Sequence, residues 1–141
     1  MSVESILAPL FVQVALIFIL VFYMGSMRFG ALRRREVRIG DIALGQSNWP
    51  PYAAQAGNAY NNQFQMPLLF FVLVILAYLF KKADLIFVIM SWVFVVSRIL
   101  HAYVHVTSNN LRWRFTIFVV GVVVLMVMWI IFALRIVLAL G

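Results

Sequence analysis

The chain has 141 residues, of which 66% are hydrophobic and only 11% charged, with a net charge of +7 and a mean hydropathy of +1.07. A soluble domain is roughly half apolar and a quarter charged, so a soluble enzyme is excluded and the chain reads as an integral membrane protein. With no cysteine, disulfides, thiolate nucleophiles, zinc–thiolate sites and iron–sulfur clusters are excluded as well.

The first apolar run, Ile6 to Gly25, is interrupted only by Gln13. It carries Glu4 instead of a basic front end and has no small-residue cleavage pattern before Ser26, so it reads as a transmembrane helix and not as a signal peptide. Pro9 falls in its first turn, where a missing N–H costs little. A segment of different composition follows, with Arg28, Arg33, Arg34, Arg35 and Arg38, then Trp49, Pro50 and Pro51. The Trp-Pro-Pro stretch reads as loop. The second run, Met66 to Phe80, is short for a bilayer of roughly 30 Å, so its helix must begin earlier, among Asn58, Asn61, Asn62, Gln63 and Gln65. Lys81, Lys82 and Asp84 form a tight turn. The third run, Leu85 to Val96, spans only if it continues through Ser97, Arg98, His101, Tyr103 and His105. The fourth, Phe115 to Leu134, is long enough alone. The expectation is an all-α, integral membrane, antiparallel four-helix bundle in a single domain, with helices over about 5–30, 58–80, 84–108 and 113–138 and a basic loop over about 31–57.

Seven arginines (Arg28, Arg33, Arg34, Arg35, Arg38, Arg112 and Arg114) flank the first and third loops, against Lys81, Lys82 and Arg135 on the opposite side. The positive-inside rule then places loops one and three in the cytoplasm and both termini across the membrane. Trp49 and Trp113 fall at the cytoplasmic interface. The positive charge reports this topology and a preference for anionic ligands or membrane lipid, not nucleic acid.

The shortness of the second and third runs has a chemical consequence. The polar end of helix two and the polar end of helix three lie in the same leaflet. Asn58, Asn62 and Gln65 recur at spacings of four and three, one face of a helix, and Arg98, His101, His105 and Arg112 recur at three, four and seven. A guanidinium in the membrane costs at least ~2.5–3.5 kcal/mol, so the second stripe is expected to face the first across a buried niche and not lipid. Glu4, Glu36, Asp41 and Asp84 all lie outside the hydrocarbon, leaving Arg98 to polar groups or an anionic ligand. Asn, Gln and His in such positions also serve as interhelical glue. His101 and His105 have the spacing of a metal pair but no third ligand nearby, and no metal is expected.

These features resemble the MAPEG family, the membrane-associated proteins in eicosanoid and glutathione metabolism. The resemblance rests on four short helices, a basic first loop, Asn62-x-x-Gln65 before Pro67, and Arg98-x-x-His101-x-x-x-His105. It implies a divergent, bacterial-type member, a homotrimer, and glutathione bound as co-substrate in the cytoplasmic half of the membrane. An arginine there would stabilise the thiolate. Arg112 and Arg114 both meet the spacing of that catalytic arginine, and both remain candidates. Arg114 to Gly121 reproduces a further family spacing, and Arg34, among Arg33 to Arg35, corresponds to the basic residue ending helix one.

Two departures stand out in the helix-two pattern. Asn58 stands where the family has arginine and Gln65 where it has glutamate. Neutral contacts there are roughly half as strong as charged ones, which predicts weaker glutathione binding or a different ligand. The ligand-binding candidates are thus Asn58, Asn62, Gln65, Arg98, His101, His105 and Arg34. Two functions follow from the resemblance and its departures. One is a glutathione-dependent transferase or peroxidase acting on lipophilic electrophiles. The other is a non-catalytic or differently liganded module that binds an anionic amphiphile or a partner protein.

Overall fold

The computed structural model describes residues 1–138. Its elements are α1 (Val3–Arg33), the single turn α2 (Ile39–Ile42), α3 (Pro51–Asn62), α4 (Met66–Leu79), α5 (Leu85–Val106) and α6 (Leu111–Val137). Four segments are long and apolar enough to cross a bilayer: Val3–Arg33, Pro51–Leu79, Leu85–Val106 and Leu111–Val137. The protein is therefore an all-α, multi-pass integral membrane protein.

The helix starts follow from local chemistry. Ser2 accepts a hydrogen bond from the Ser5 amide at 3.2 Å, and Asp84 from the Phe87 amide at 2.9 Å. Asn110 accepts from the amides of Arg112 and Trp113 at 3.1 and 3.4 Å. Each side chain satisfies donors that the first helical turn leaves free. Of the Trp-Pro-Pro stretch, expected as loop, Trp49 and Pro50 are non-helical, but Pro51 is already the first residue of a helix, with Pro50 as its cap. Proline is well suited there because its fixed φ is helical and the N–H it lacks is one the helix would not use.

The second crossing differs from the single helix expected over 58–80. It starts at Pro51 and breaks at residues 63–65. Pro67 cannot donate to the Gln63 carbonyl and crowds the preceding turn. The backbone responds with tighter bonds, Gln63 N–H to Tyr60 O at 3.0 Å and Phe64 N–H to Asn61 O at 3.1 Å. The break is secured from α1, where the buried Gln13 donates through Nε2 to Gln63 Oε1 at 2.7 Å. Gln63 Nε2 in turn donates to the Ala59 carbonyl at 3.3 Å.

Among the described residues three turns use left-handed residues other than glycine, one of them Asn109 (φ 51°) after α5. Of the other two, Arg35 (φ 57°) follows α1 and Lys81 (φ 56°) follows α4. In both, the next amide reaches back to close the helix: Glu36 N–H to Ala31 O at 3.0 Å and Lys82 N–H to Ala77 O at 2.8 Å. This double closure satisfies helix-end carbonyls that would otherwise face the membrane interface.

α5 is the central helix and packs on α1, α3 and α6, while α4 packs on α1 and α6. The apolar core gathers Phe70, Leu73 and Val74 of α4, Phe94 and Val95 of α5, and Leu125 and Met128 of α6. Phe70 and Phe94 stack with ring centroids 4.8 Å apart. At the end of the bundle carrying the 80–84 turn, Arg135 clamps the α4–α5 hairpin to α6. Its Nη1 donates to the Lys82 carbonyl at 3.0 Å and its Nη2 to Asp84 Oδ2 at 2.6 Å.

The Arg135 guanidinium holds the Asp84 carboxyl below the usual carboxylate range. The unfolded chain therefore binds the Asp84 proton at higher pH than the folded one. The stabilisation is fully present above the unfolded value of about 4 and fades as pH falls through the lower folded value. Asp84→Asn keeps a capping oxygen but removes the charge. Because the pair is part-exposed, we expect a loss of about 1 kcal/mol at neutral pH, vanishing in strong acid. Unfolding curves measured against pH in detergent check both parts.

Candidate functional site

At the other end of the bundle, the break after α3, the last turns of α5 and the first turns of α6 enclose a cleft of about 240 Å³. Asn62, Gln65, His101, His105 and Arg114 supply its polar lining, and Leu111, Phe115 and Phe118 its apolar wall. The break is what places Asn62 and Gln65 at its rim. Asn62 ends α3, and its Nδ2 donates to Gln65 Oε1 at 3.2 Å across the broken turn.

The polar stripe of α5 faces inward. Arg98 is 1% exposed and His101 4%. Arg98 Nη1 donates to Asn62 Oδ1 at 3.4 Å, a long contact that ties α5 to the α3–α4 break. Its guanidinium carbon lies 5.8 Å from the Phe94 ring centroid and 5.2 Å from that of Phe118. Among the described residues, Nε and Nη2 of Arg98 have no hydrogen-bond partner. Gly121 makes room for this group. A Cβ there would fall 2.8 Å from Ser97 Oγ and 3.0 Å from Arg98 Nη2. An intramembrane guanidinium is thus held by one amide, two ring faces and the gap that glycine leaves.

His101 and His105 meet edge to face with centroids 5.7 Å apart, and His101 also leans on Phe118 at 5.8 Å. Neither Nδ1 has a hydrogen-bond partner among the described residues. Among the described residues, no group of three His, Cys, Asp or Glu side chains is placed to hold a metal ion.

Arg114 is half-buried at the cleft. Its Nη1 donates to Asn109 Oδ1 at 2.6 Å, so a neutral acceptor orients the guanidinium and leaves its charge uncompensated. Spacing alone does not single out Asn109. Its signal is the Asn109-Asn110 pair: Asn110 caps α6, while Asn109 takes the left-handed conformation (φ 51°) that asparagine tolerates well.

The remaining candidates lie elsewhere. Arg112 is exposed and outside the residues lining the cleft. Asn58 is exposed on α3 and opens onto a separate cavity with Arg28 and Trp49. Arg34 is engaged within its own loop. It donates through Nε to Glu36 Oε1 at 2.9 Å and through Nη2 to the Tyr52 hydroxyl at 2.6 Å. Tyr52 also donates to Glu36, and these two donors hold the Glu36 carboxyl below its ordinary range, the tyrosine contributing most.

The site therefore gathers cationic, imidazole and amide donors in a part-apolar cleft at one end of a four-span bundle, with no carboxylate in its lining among the described residues. Comparison with curated proteins and with solved structures gave no match. The MAPEG family profile matches residues 6–134, which takes in most or all of each of the four crossings and every residue of the cleft. On that match, spanning nearly the whole sequence, the chain belongs to the MAPEG family.

Proposed function

We propose that the protein is a glutathione-dependent transferase or peroxidase acting on lipophilic electrophiles, with Arg114 favouring the glutathione thiolate. The observation that carries this reading is the uncompensated Arg114 guanidinium, oriented by Asn109 into a cleft that also has apolar walls. A cation beside a thiol favours its ionised form, and the thiolate is the nucleophile. The thiolate sulfur would form a bond to an electrophilic carbon as the leaving group departs with its electron pair. In the peroxidase case the sulfur would bond to the terminal oxygen of a hydroperoxide as the O–O bond breaks, releasing the alcohol after protonation and leaving glutathione sulfenic acid, which a second glutathione would convert to the disulfide and water. Asn62, Gln65, His101 and His105 would orient the tripeptide, and Phe115 and Phe118 would face the electrophile entering from the bilayer.

The excess of arginine at this end supports a cytoplasmic cleft, where a soluble co-substrate would have access. Assembly as a homotrimer is part of this proposal, on the strength of family membership. Between the two arginines, the geometry favours Arg114, since Arg112 does not line the cleft.

A second reading has its own support. Gln65 is neutral, and Asn58 opens onto another cavity, so the cleft offers fewer charged contacts than a peptide with two carboxylates and one ammonium would use. On this reading the protein binds an anionic amphiphile at Arg98 and Arg114 without turnover. A thermal shift separates the two. Saturating glutathione should raise the unfolding midpoint, since a ligand bound only by the folded state stabilises by about 2.7 kcal/mol at one hundred times its Kd. Asn62→Leu should remove most of the shift. No shift with glutathione, together with a retained amphiphile lost on Arg98→Leu, would favour the second reading.

A further inference from the structure

A second polar cavity lies outside the cleft, between α1, the loop after it and α3. Its volume is about 340 Å³, room for on the order of ten waters. Arg28, Gln46, Ser47, Trp49, Asn58 and Asn61 line it, with no carboxylate in the lining among the described residues. Among the described residues, Arg28 is the one charged group in that lining. The guanidinium carbon sits 4.9 Å from the Trp49 ring centroid, and Nε is buried without a hydrogen-bond partner. Gly57 shapes the wall, because a Cβ there would fall 3.0 Å from Arg28 Nη2. The basic loop beside it holds two acids, and neither lines the cavity: Glu36 is engaged by Arg34 and Tyr52, and Asp41 accepts the Arg38 amide at 3.2 Å.

We propose that this cavity binds a phosphate group, with Arg28 as the charged donor and the Asn58, Asn61, Gln46 and Ser47 side chains as neutral ones. A guanidinium suits a tetrahedral oxyanion because its planar fork presents several donors at once. Stacking on Trp49 fixes that fork in place. The depth of the site points to a lipid headgroup as the source. α1 is 31 residues long, about 46 Å at ~1.5 Å per residue, and Arg28 lies ~38 Å from its start, beyond a ~30 Å hydrocarbon layer. Trp49 has the amphipathic character of an interfacial residue. The adjoining loop exposes Ile39 and Leu44 beside Arg33, Arg35 and Arg38, a mixture suited to an anionic membrane surface. A soluble phosphate ester has the same headgroup chemistry and is the other source.

The full chain, purified in a maltoside detergent, is the material for the test, read by native mass spectrometry against added phosphatidylglycerol and, separately, glycerol 1-phosphate. Wild type should retain phosphatidylglycerol. Arg28→Gln should weaken retention roughly tenfold or more, the effect of losing a charge-assisted hydrogen bond. Gly57→Ala keeps every charge and displaces only the guanidinium, so it should weaken retention several-fold and guards against misfolding of the arginine variant. Lys81→Gln, in the exposed turn at the opposite end of the bundle, should leave retention unchanged. Glycerol 1-phosphate binding that depends on Arg28 when the lipid does not bind would uphold the phosphate site and assign it a soluble ligand. Retention insensitive to both Arg28→Gln and Gly57→Ala, or no binding of either probe by wild type, overturns the proposal. The site is separate from the glutathione cleft, so either reading can fail while the other stands.

Discussion

Replacing Arg114 with alanine is expected to lower kcat/KM for glutathione conjugation to a lipophilic electrophile by about 100-fold or more. The size follows from electrostatics. An opposite charge within ~4–6 Å shifts an ionisable group by about one to three pKa units, and removing one preorganised donor from a developing or resident anion costs about 10²–10³ in rate. Arg114 is the cleft cation held in register by Asn109 at 2.6 Å. Arg112 lies on the exposed side of the same helix, so Arg112→Ala should change kcat/KM by less than about threefold, as surface charges far from a reacting centre do. Asn109→Ala should fall between the two, because it frees the guanidinium without removing it. Initial rates of conjugate formation with the three variants in detergent check the ordering. Equal losses at Arg112 and Arg114 would contradict it.

The largest structural effect is expected at Gly121. Valine there would place its Cβ against Ser97 Oγ and the Arg98 guanidinium, at 2.8 and 3.0 Å before adding two methyl groups. Neither neighbour can move freely. Ser97 Oγ donates to the Phe94 carbonyl at 2.6 Å, and Arg98 is buried between the Phe94 and Phe118 rings. Overpacking a well-filled interior costs about 1–3 kcal/mol. Pushing the guanidinium off Asn62 leaves a buried charge without its amide partner, for a further ~1–3 kcal/mol. We expect Gly121→Val to destabilise the bundle by about 3 kcal/mol or more and to abolish ligand-dependent stabilisation. Gly121→Ala should cost about half as much. Unfolding in mixed micelles of increasing sodium dodecyl sulfate measures both. A loss under about 1 kcal/mol for valine would mean that Arg98 is not seated as described.

Much of this arrangement is legible in the sequence, for a simple reason: bilayer thickness is a ruler. Leu85 to Val96 is too short to cross, which forces Arg98 and His101 into the protein, and the structure buries both. Period and spacing then bring Asn62 opposite Arg98, and they meet at 3.4 Å. Orientation within a polar segment was less legible. Asn58 shares helical spacing with Asn62 and lies on the same helix, α3, yet the two line different cavities, while the break at residues 63–65 puts Gln65 off the regular helix. The proline at position 67 signals such a break, but not its direction. Arg112 and Arg114 are two residues apart and so point to different sides of α6; only the packed helix distinguishes them. The Gln13–Gln63 hydrogen bond is hidden because its partners lie fifty residues apart, Gln13 reading as a single polar interruption and Gln63 as one of several amides in a polar segment.

The most direct test of the whole account is the ultraviolet absorbance of the glutathione thiolate on titrating the purified protein at neutral pH. The wild-type protein should develop a saturable thiolate band with release of one proton per bound glutathione, and Arg114→Ala should bind with little or no band. Wild-type protein that leaves the bound thiol protonated, or a band of equal size in Arg114→Ala, would contradict the assignment of this cleft as a thiolate site.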